Sequence, residues 1–237
     1  MKTRCLLSPL NGVSERSIIE EVILDVGESL TLDQKPEECL FYTLDGRGLM
    51  SIYEEHPAGD VYETRQDIAI YITPMIKHQI LNTGDSQLRY LLMKVIGGVA
   101  PEGDLSWSAI TQRGVVVDKP IVGSGQATTK VFDELSNPSK NEGLHLRIRD
   151  IMLRRPQKFS NAEVVTIQPG RSTRLHTHHD SEENYYLLTG EGIFIWDNKE
   201  IPCSAGSSIC FPVGVKRKVE NKGDYPMSYI CFSAFIE

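Results

Sequence analysis

An all-β fold made of two related antiparallel sandwiches or barrels is predicted by three features of the 237-residue sequence. Short runs rich in β-branched and aromatic residues recur, with Gly, Asn, Asp or Pro between most of them. The runs fall into two series separated by a stretch rich in Gly, Pro, Ser and Thr. The two series share landmarks at corresponding places, which marks an internal duplication of one β-unit.

The first series reads "SIIEEVILDV", "CLFYTLDG", "GLMSIY", "DIAIYIT", "HQILNTG" and "LRYLLMKVIGG". The second reads "EVVTIQPG", "NYYLLTGEG", "GIFIWDNKE", "SSICFPVG", "RKVENKGD" and "MSYICFSAFIE". An apolar strand ending at Gly27 matches one ending at Gly170, and the hairpin "LDGRG" matches "LTGEG". "ILNTGD" and "VENKGD" then occupy corresponding places, each followed by a final strand. Short helices are expected at "KVFDELS" and near "SWSAITQ" in the intervening stretch. The organisation expected is an N-terminal unit over 1–98, a linker over 99–125 and a C-terminal unit over 126–237.

Composition excludes several classes of function. A formal net charge of −7 argues against a general nucleic-acid binder, which needs a basic face. The short basic runs Arg147–Arg155 and Lys216–Lys218 read as solvated faces. No apolar stretch approaches the roughly 18 residues of a membrane span. The only apolar run at the start is Cys5-Leu6-Leu7, too short for a signal-peptide core of about 7–15 residues. The five cysteines show no CxxC spacing and read as reduced, mostly packed thiols, so a cytoplasmic protein is expected. Phosphate-binding glycine loops, nucleophile elbows and nucleotide fingerprints are absent from the sequence.

The chemistry concentrates in "RLHTHHDSEENYYLLTG", residues 174–190. Gly170, His176, His178, Glu183 and Gly190 stand at spacings that resemble the first motif of the cupin family. Gly206, Pro212, Gly214 and Asn221 resemble its second motif. With the duplication, the chain resembles a bicupin, which implies two tandem jelly-roll (double-stranded β-helix) barrels. The resemblance also implies frequent use of sheet faces in dimers, so a homodimer is expected.

The residues support a metal site on physical grounds as well. Residues two apart in a strand point the same way, so His176 and His178 would project together into a barrel. Two imidazoles and a carboxylate with open positions form the facial set used by non-haem iron and, less selectively, by other divalent ions. Glu183 fits the strand parity. Glu182 and His179 have the opposite parity, and Glu182 is expected to face solvent. Tyr185 shares the parity of Glu183 and would offer a hydrogen bond to a substrate, whereas Tyr186 should face away. Phe194, Ile209 and Phe211 are expected in the core or pocket wall, and Trp107 and Trp196 in the core or an interface.

The second motif departs from the family at Arg217, where the resemblance implies a fourth, histidine ligand. A guanidinium stays protonated and cannot ligate a metal. Arg217 either clamps an anionic substrate beside a three-ligand metal or pairs with Glu183 and displaces the metal. In the N-terminal unit the corresponding positions hold Asp33, Lys35, Cys39 and His78, a set unsuited to a divalent ion. That barrel is expected to serve packing, dimerisation or a pocket wall, with a Cys39–His78 nucleophilic pair as the sharper alternative.

The function expected is that of a metal-dependent enzyme acting on a small anionic molecule. His176, His178 and Glu183 would hold Fe, Mn, Ni or Zn, and Arg217 and Tyr185 would contact substrate. The resemblance allows dioxygenase, decarboxylase and isomerase chemistry, and the open positions of a three-ligand site favour an oxygenase. The rival expectation is a non-catalytic binding or sensing bicupin without metal.

Overall fold

β-Strands account for nearly all regular structure in the computed structural model, which describes residues 1–33, 35–53, 60–72, 75–96, 115–117, 144–147 and 159–236. The linker expected over 99–125, apart from 115–117, and both expected helices lie outside the described residues, as does Trp107. Among the described residues the one helical element is a 3-10 turn, Pro9–Asn11.

Backbone contacts divide the chain into two units, the first formed mainly by residues 1–10 and 16–119. Its strands are β1 (Lys2–Leu7), β2 (Ser17–Leu24), β3 (Ser29–Leu32), β4 (Glu38–Asp45), β5 (Arg47–Tyr53), β6 (Asp60–Arg65), β7 (Ala69–Ile72), β8 (Lys77–Asn82), β9 (Leu88–Val95) and β10 (Val115–Val117). They form two antiparallel sheets ordered β1-β2-β9-β4-β7-β10 and β3-β8-β5-β6. Alternate residues of both sheets meet in one core that includes Val22, Phe41, Ile52, Ile70, Ile80 and Tyr90, as the two-residue period of a strand requires.

The second unit comprises residues 11–15, 120–149 and 159–237. Its strands are β11 (Leu144–Arg147), β12 (Phe159–Ile167), β13 (Ser181–Thr189), β14 (Glu191–Trp196), β15 (Lys199–Ser204), β16 (Ser208–Phe211), β17 (Arg217–Glu220) and β18 (Met227–Phe235). The sheets run β11-β12-β18-β13-β16 and β15-β14-β17. Phe194 and Phe211 lie in its core with Tyr185, and Ile209 and Trp196 pack against that core.

The duplication is visible in detail. Asn82 donates through Nδ2 to the carbonyls of Leu24 (2.9 Å) and Ser86 (2.8 Å) and accepts from Gly84 N (2.9 Å). Asn221 does the same with Ile167 (2.8 Å), Tyr225 (2.8 Å) and Gly223 N (2.9 Å). Each amide thus ties the end of an early strand to the turn before the last. Gly46 and Gly190 open the matching hairpins with φ of 81° each, a conformation suited to glycine. At Gly190 a Cβ would lie 2.8 Å from Met227 Cα, so the turn also demands a residue without a side chain.

Candidate metal centre

The histidines do not sit on a continuous strand, contrary to the expectation from strand parity. Residues 171–180 run alongside β17 without forming a strand, pairing with it at isolated bridges, Ser172 with Glu220 and His176 with Arg217. The His176 pairing is reciprocal: its N–H donates to Arg217 O (3.1 Å) and Arg217 N–H donates to His176 O (2.9 Å). Thr173 Oγ1 accepts from Val219 N–H at 2.9 Å and anchors the start of the same segment.

The rings nonetheless converge, with centroids 5.2 Å apart. His176 Nδ1 lies 2.9 Å from Arg174 O, which places its proton there and leaves Nε2 with a free lone pair. His178 Nδ1 makes a longer contact of 3.4 Å with Ser181 Oγ. The two Nε2 atoms stand 3.7 and 3.8 Å from Oε2 of Glu183. Among the described residues this trio is the one group of histidine, cysteine and acidic side chains close enough to share an ion, with ligand atoms within 4.8 Å of one another. The donor set therefore fits a divalent metal: two imidazole nitrogens aimed inward and one carboxylate.

The site is layered. The side chains of His176 and His178 are 33% and 30% exposed, whereas those of Glu183 and Arg217 are 7% and 0% exposed. Arg217 brings Nε to 2.6 Å from the same Oε2. The N–H there is out of hydrogen-bonding alignment, so the contact is an ion pair, and neither Nη has an acceptor among the described residues. The guanidinium carbon lies 6.0 Å from the Phe211 ring centroid. Tyr185, expected to share the interior face of Glu183, donates its hydroxyl to Glu183 Oε2 at 2.8 Å.

Burial by itself would raise the Glu183 carboxyl, but His176, the Arg217 charge, His178 and Tyr185 together hold it down to about 2. Its negative charge in turn raises His176. His178 is lowered, first by burial.

Two expectations need correction. Glu182 does not face solvent: it is buried, accepting from Ser14 Oγ (3.1 Å) and Glu15 N (2.8 Å), with Cys210 Sγ at 3.8 Å. The outer face of β13 is covered, so parity predicts direction there but not exposure. Tyr186 is buried on that same face, and His179 is exposed. In the first unit, Asp33 and Lys35 are exposed, and Asp33 lies 3.7 Å from Lys77. Cys39 and His78 are buried on strands of different sheets, with no hydrogen bond between them among the described residues. Burial pushes the Cys39 thiol up to about 12 and lowers His78, which removes the basis for a nucleophilic pair.

Residues 163–233 match the family described as the cupin domain. An uncharacterized protein of Methanocaldococcus jannaschii is 38% identical over 76 residues, 32% of this chain and 60% of the relative. The match thus spans less than two thirds of that relative's length. The oxalate-binding protein of Thermotoga maritima is 32% identical over 90 residues, 38% of this chain and 71% of the relative. A Lactobacillus farciminis oxalate decarboxylase shares the fold, with a TM-score of 0.64 at 16% identity, over 97% of this chain and 80% of that one. The chain belongs to the cupin family, and its all-β fold is the cupin fold. Among the described residues no helix is long and apolar enough to cross a membrane.

Proposed function

We propose that the chain is a metal-dependent cupin enzyme acting on a small anionic organic molecule in its C-terminal barrel. The observation that carries this reading is the convergence of His176, His178 and Glu183 above a buried guanidinium with unpartnered Nη atoms. Glu183 offsets the guanidinium charge, but each buried Nη donor left without an acceptor costs about 1–3 kcal/mol, which an incoming acceptor would recover. An anion entering past the partly exposed histidines would meet those donors. The oxalate-binding relative is consistent with a small carboxylate.

His176, His178 and Glu183 would hold Fe, Mn, Ni or Zn, which when bound polarises substrate oxygen or supports dioxygen chemistry. Tyr185 fixes the Glu183 carboxylate, and the reciprocal backbone bonds fix His176 against Arg217. Arg217 orients the anionic end through its fork of N–H donors. The open positions of a three-ligand set favour an oxygenase over decarboxylase or isomerase chemistry. A homodimer in the cytoplasm completes the proposal.

The close Glu183–Arg217 pair favours one rival, a metal-free binding or sensing protein in which Glu183 serves only to hold the arginine. Elemental analysis of protein purified without chelator separates the two. Stoichiometric metal that disappears in His176→Ala/His178→Ala supports the enzyme. Absence of metal under every loading condition sinks it.

A further inference from the structure

We propose that Arg217 makes metal binding in the C-terminal barrel conditional on a small carboxylate anion with a second oxygen donor, so that ion and anion bind as a cooperative pair. This deepens the metal reading and rests on it.

The argument begins with charge. Glu183 is the one acidic member of the trio, and its Oε2 already faces the Arg217 Nε at 2.6 Å. A divalent ion held there would leave a single negative charge facing three positive ones, with neutral imidazoles contributing none. At separations of a few ångströms such repulsion weakens binding of the ion. Histidine in the same slot would add a ligand and no fixed charge. Arg217 adds a fixed charge and no ligand.

The guanidinium also lacks something. Both Nη atoms are buried and find no acceptor among the described residues. Arg217 is fully buried, so neither Nη reaches water where it stands. A planar fork of donors matches a carboxylate. An anion that lays one oxygen pair on this fork and offers another oxygen toward the histidines corrects both faults at once. It supplies the missing acceptors and offsets the excess positive charge. Phe211 lies beside the guanidinium, whose carbon is 6.0 Å from the ring centroid.

Linkage fixes the form of the coupling: the factor by which the anion raises metal affinity equals the factor by which metal raises anion affinity. The expected class is a dicarboxylate or a 2-oxo acid. A simple monocarboxylate can fill the fork but not reach the ion, and should couple weakly.

The test uses the full chain, stripped of metal, titrated with Mn(II) in chloride buffer, with free Mn(II) read by electron paramagnetic resonance. Malonate, oxalate and pyruvate are the probes and acetate the control, with solution chelation measured separately. At least one probe is expected to raise Mn(II) affinity tenfold or more, and acetate much less. Arg217→His is expected to bind Mn(II) more tightly than wild type in chloride and to lose most of the anion effect. Arg217→Lys, which keeps the charge without the fork, should stay weak and respond less than wild type. Equal Mn(II) affinity in chloride and with every probe would overturn the inference while leaving the metal reading intact. An anion effect undiminished in both variants would overturn it too. If no Mn(II) binds under any of these conditions, nor Fe(II), Ni(II) or Zn(II) by equilibrium dialysis, the inference and the metal reading fall together.

Discussion

Arg217 and Glu183 form an ion pair inside the second barrel, 2.6 Å from Nε to Oε2, with neither side chain substantially exposed. Removing one member leaves the other buried and uncompensated, which typically costs 3–5 kcal/mol. Arg217→Met should therefore lower stability by about that amount. In Glu183→Gln/Arg217→Met most of the loss should return, because no lone charge remains. Urea denaturation followed by tryptophan fluorescence checks both. A double variant as unstable as Arg217→Met alone would show that the cost lies in packing instead.

The matching asparagines Asn82 and Asn221 each make three hydrogen bonds, one to the end of a strand distant in sequence and two within the turn that follows. Alanine at either position should cost about 2–3 kcal/mol, at roughly 1 kcal/mol per bond. If the two barrels unfold separately, each variant will shift a different transition in a calorimetric scan.

Glu21 gives a pH signature that is independent of the metal centre. Burial would raise its carboxyl, but bonds of 2.6 Å to Arg89 and to Arg4 outweigh it and lower it below the ordinary range. A depressed folded-state value means the stabilisation is present above the unfolded pKa and lost as pH falls through the folded one. Both arginines are partly exposed, so Glu21→Gln should cost only about 1 kcal/mol at pH 7. The gap from wild type should close in acid, and a gap constant from pH 7 to pH 3 would refute the assignment.

Thiol chemistry distinguishes the first barrel's two readings. Of the five cysteines only Cys5 is exposed, and Cys39 and Cys203 are pushed up to about 12 and 11. Native protein at pH 8 should show one fast-reacting thiol toward an aromatic disulfide reagent, and denatured protein all five. Rapid modification of Cys39 would revive the nucleophile.

The sequence read most clearly where strands are buried on a face. Strands β2, β4, β9, β12, β13 and β18, which carry the alternating apolar residues of the cores, were all legible. Strands β1, β3, β6, β10, β11 and β15 were not, and every one lies at a sheet edge. Edge strands pack less, so they carry little periodic signal, and Pro202 within β15 is tolerated for the same reason. The trio His176, His178 and Glu183 was legible from spacing, although the strand assumed for the histidines is only a bridged segment. The burial of Glu182 was not legible, because its partners Ser14 and Glu15 stand 168 and 167 residues away.

That same contact predicts a modest effect on folding. Glu182→Ala leaves Ser14 Oγ and the Glu15 N–H without their acceptor, which should cost about 1–3 kcal/mol. Hydrogen exchange at the Glu15 amide should quicken in the variant, and unchanged protection would show the contact to be incidental.

Residues 11–15 group with the second unit although they lie far from it along the chain. A protein trimmed to its last hundred-odd residues for expression would thus carry β13 without the two groups that donate hydrogen bonds to Glu182. The second unit is in this sense a split domain, and a short synthetic peptide copying the chain around Ser14 and Glu15 is its natural missing piece.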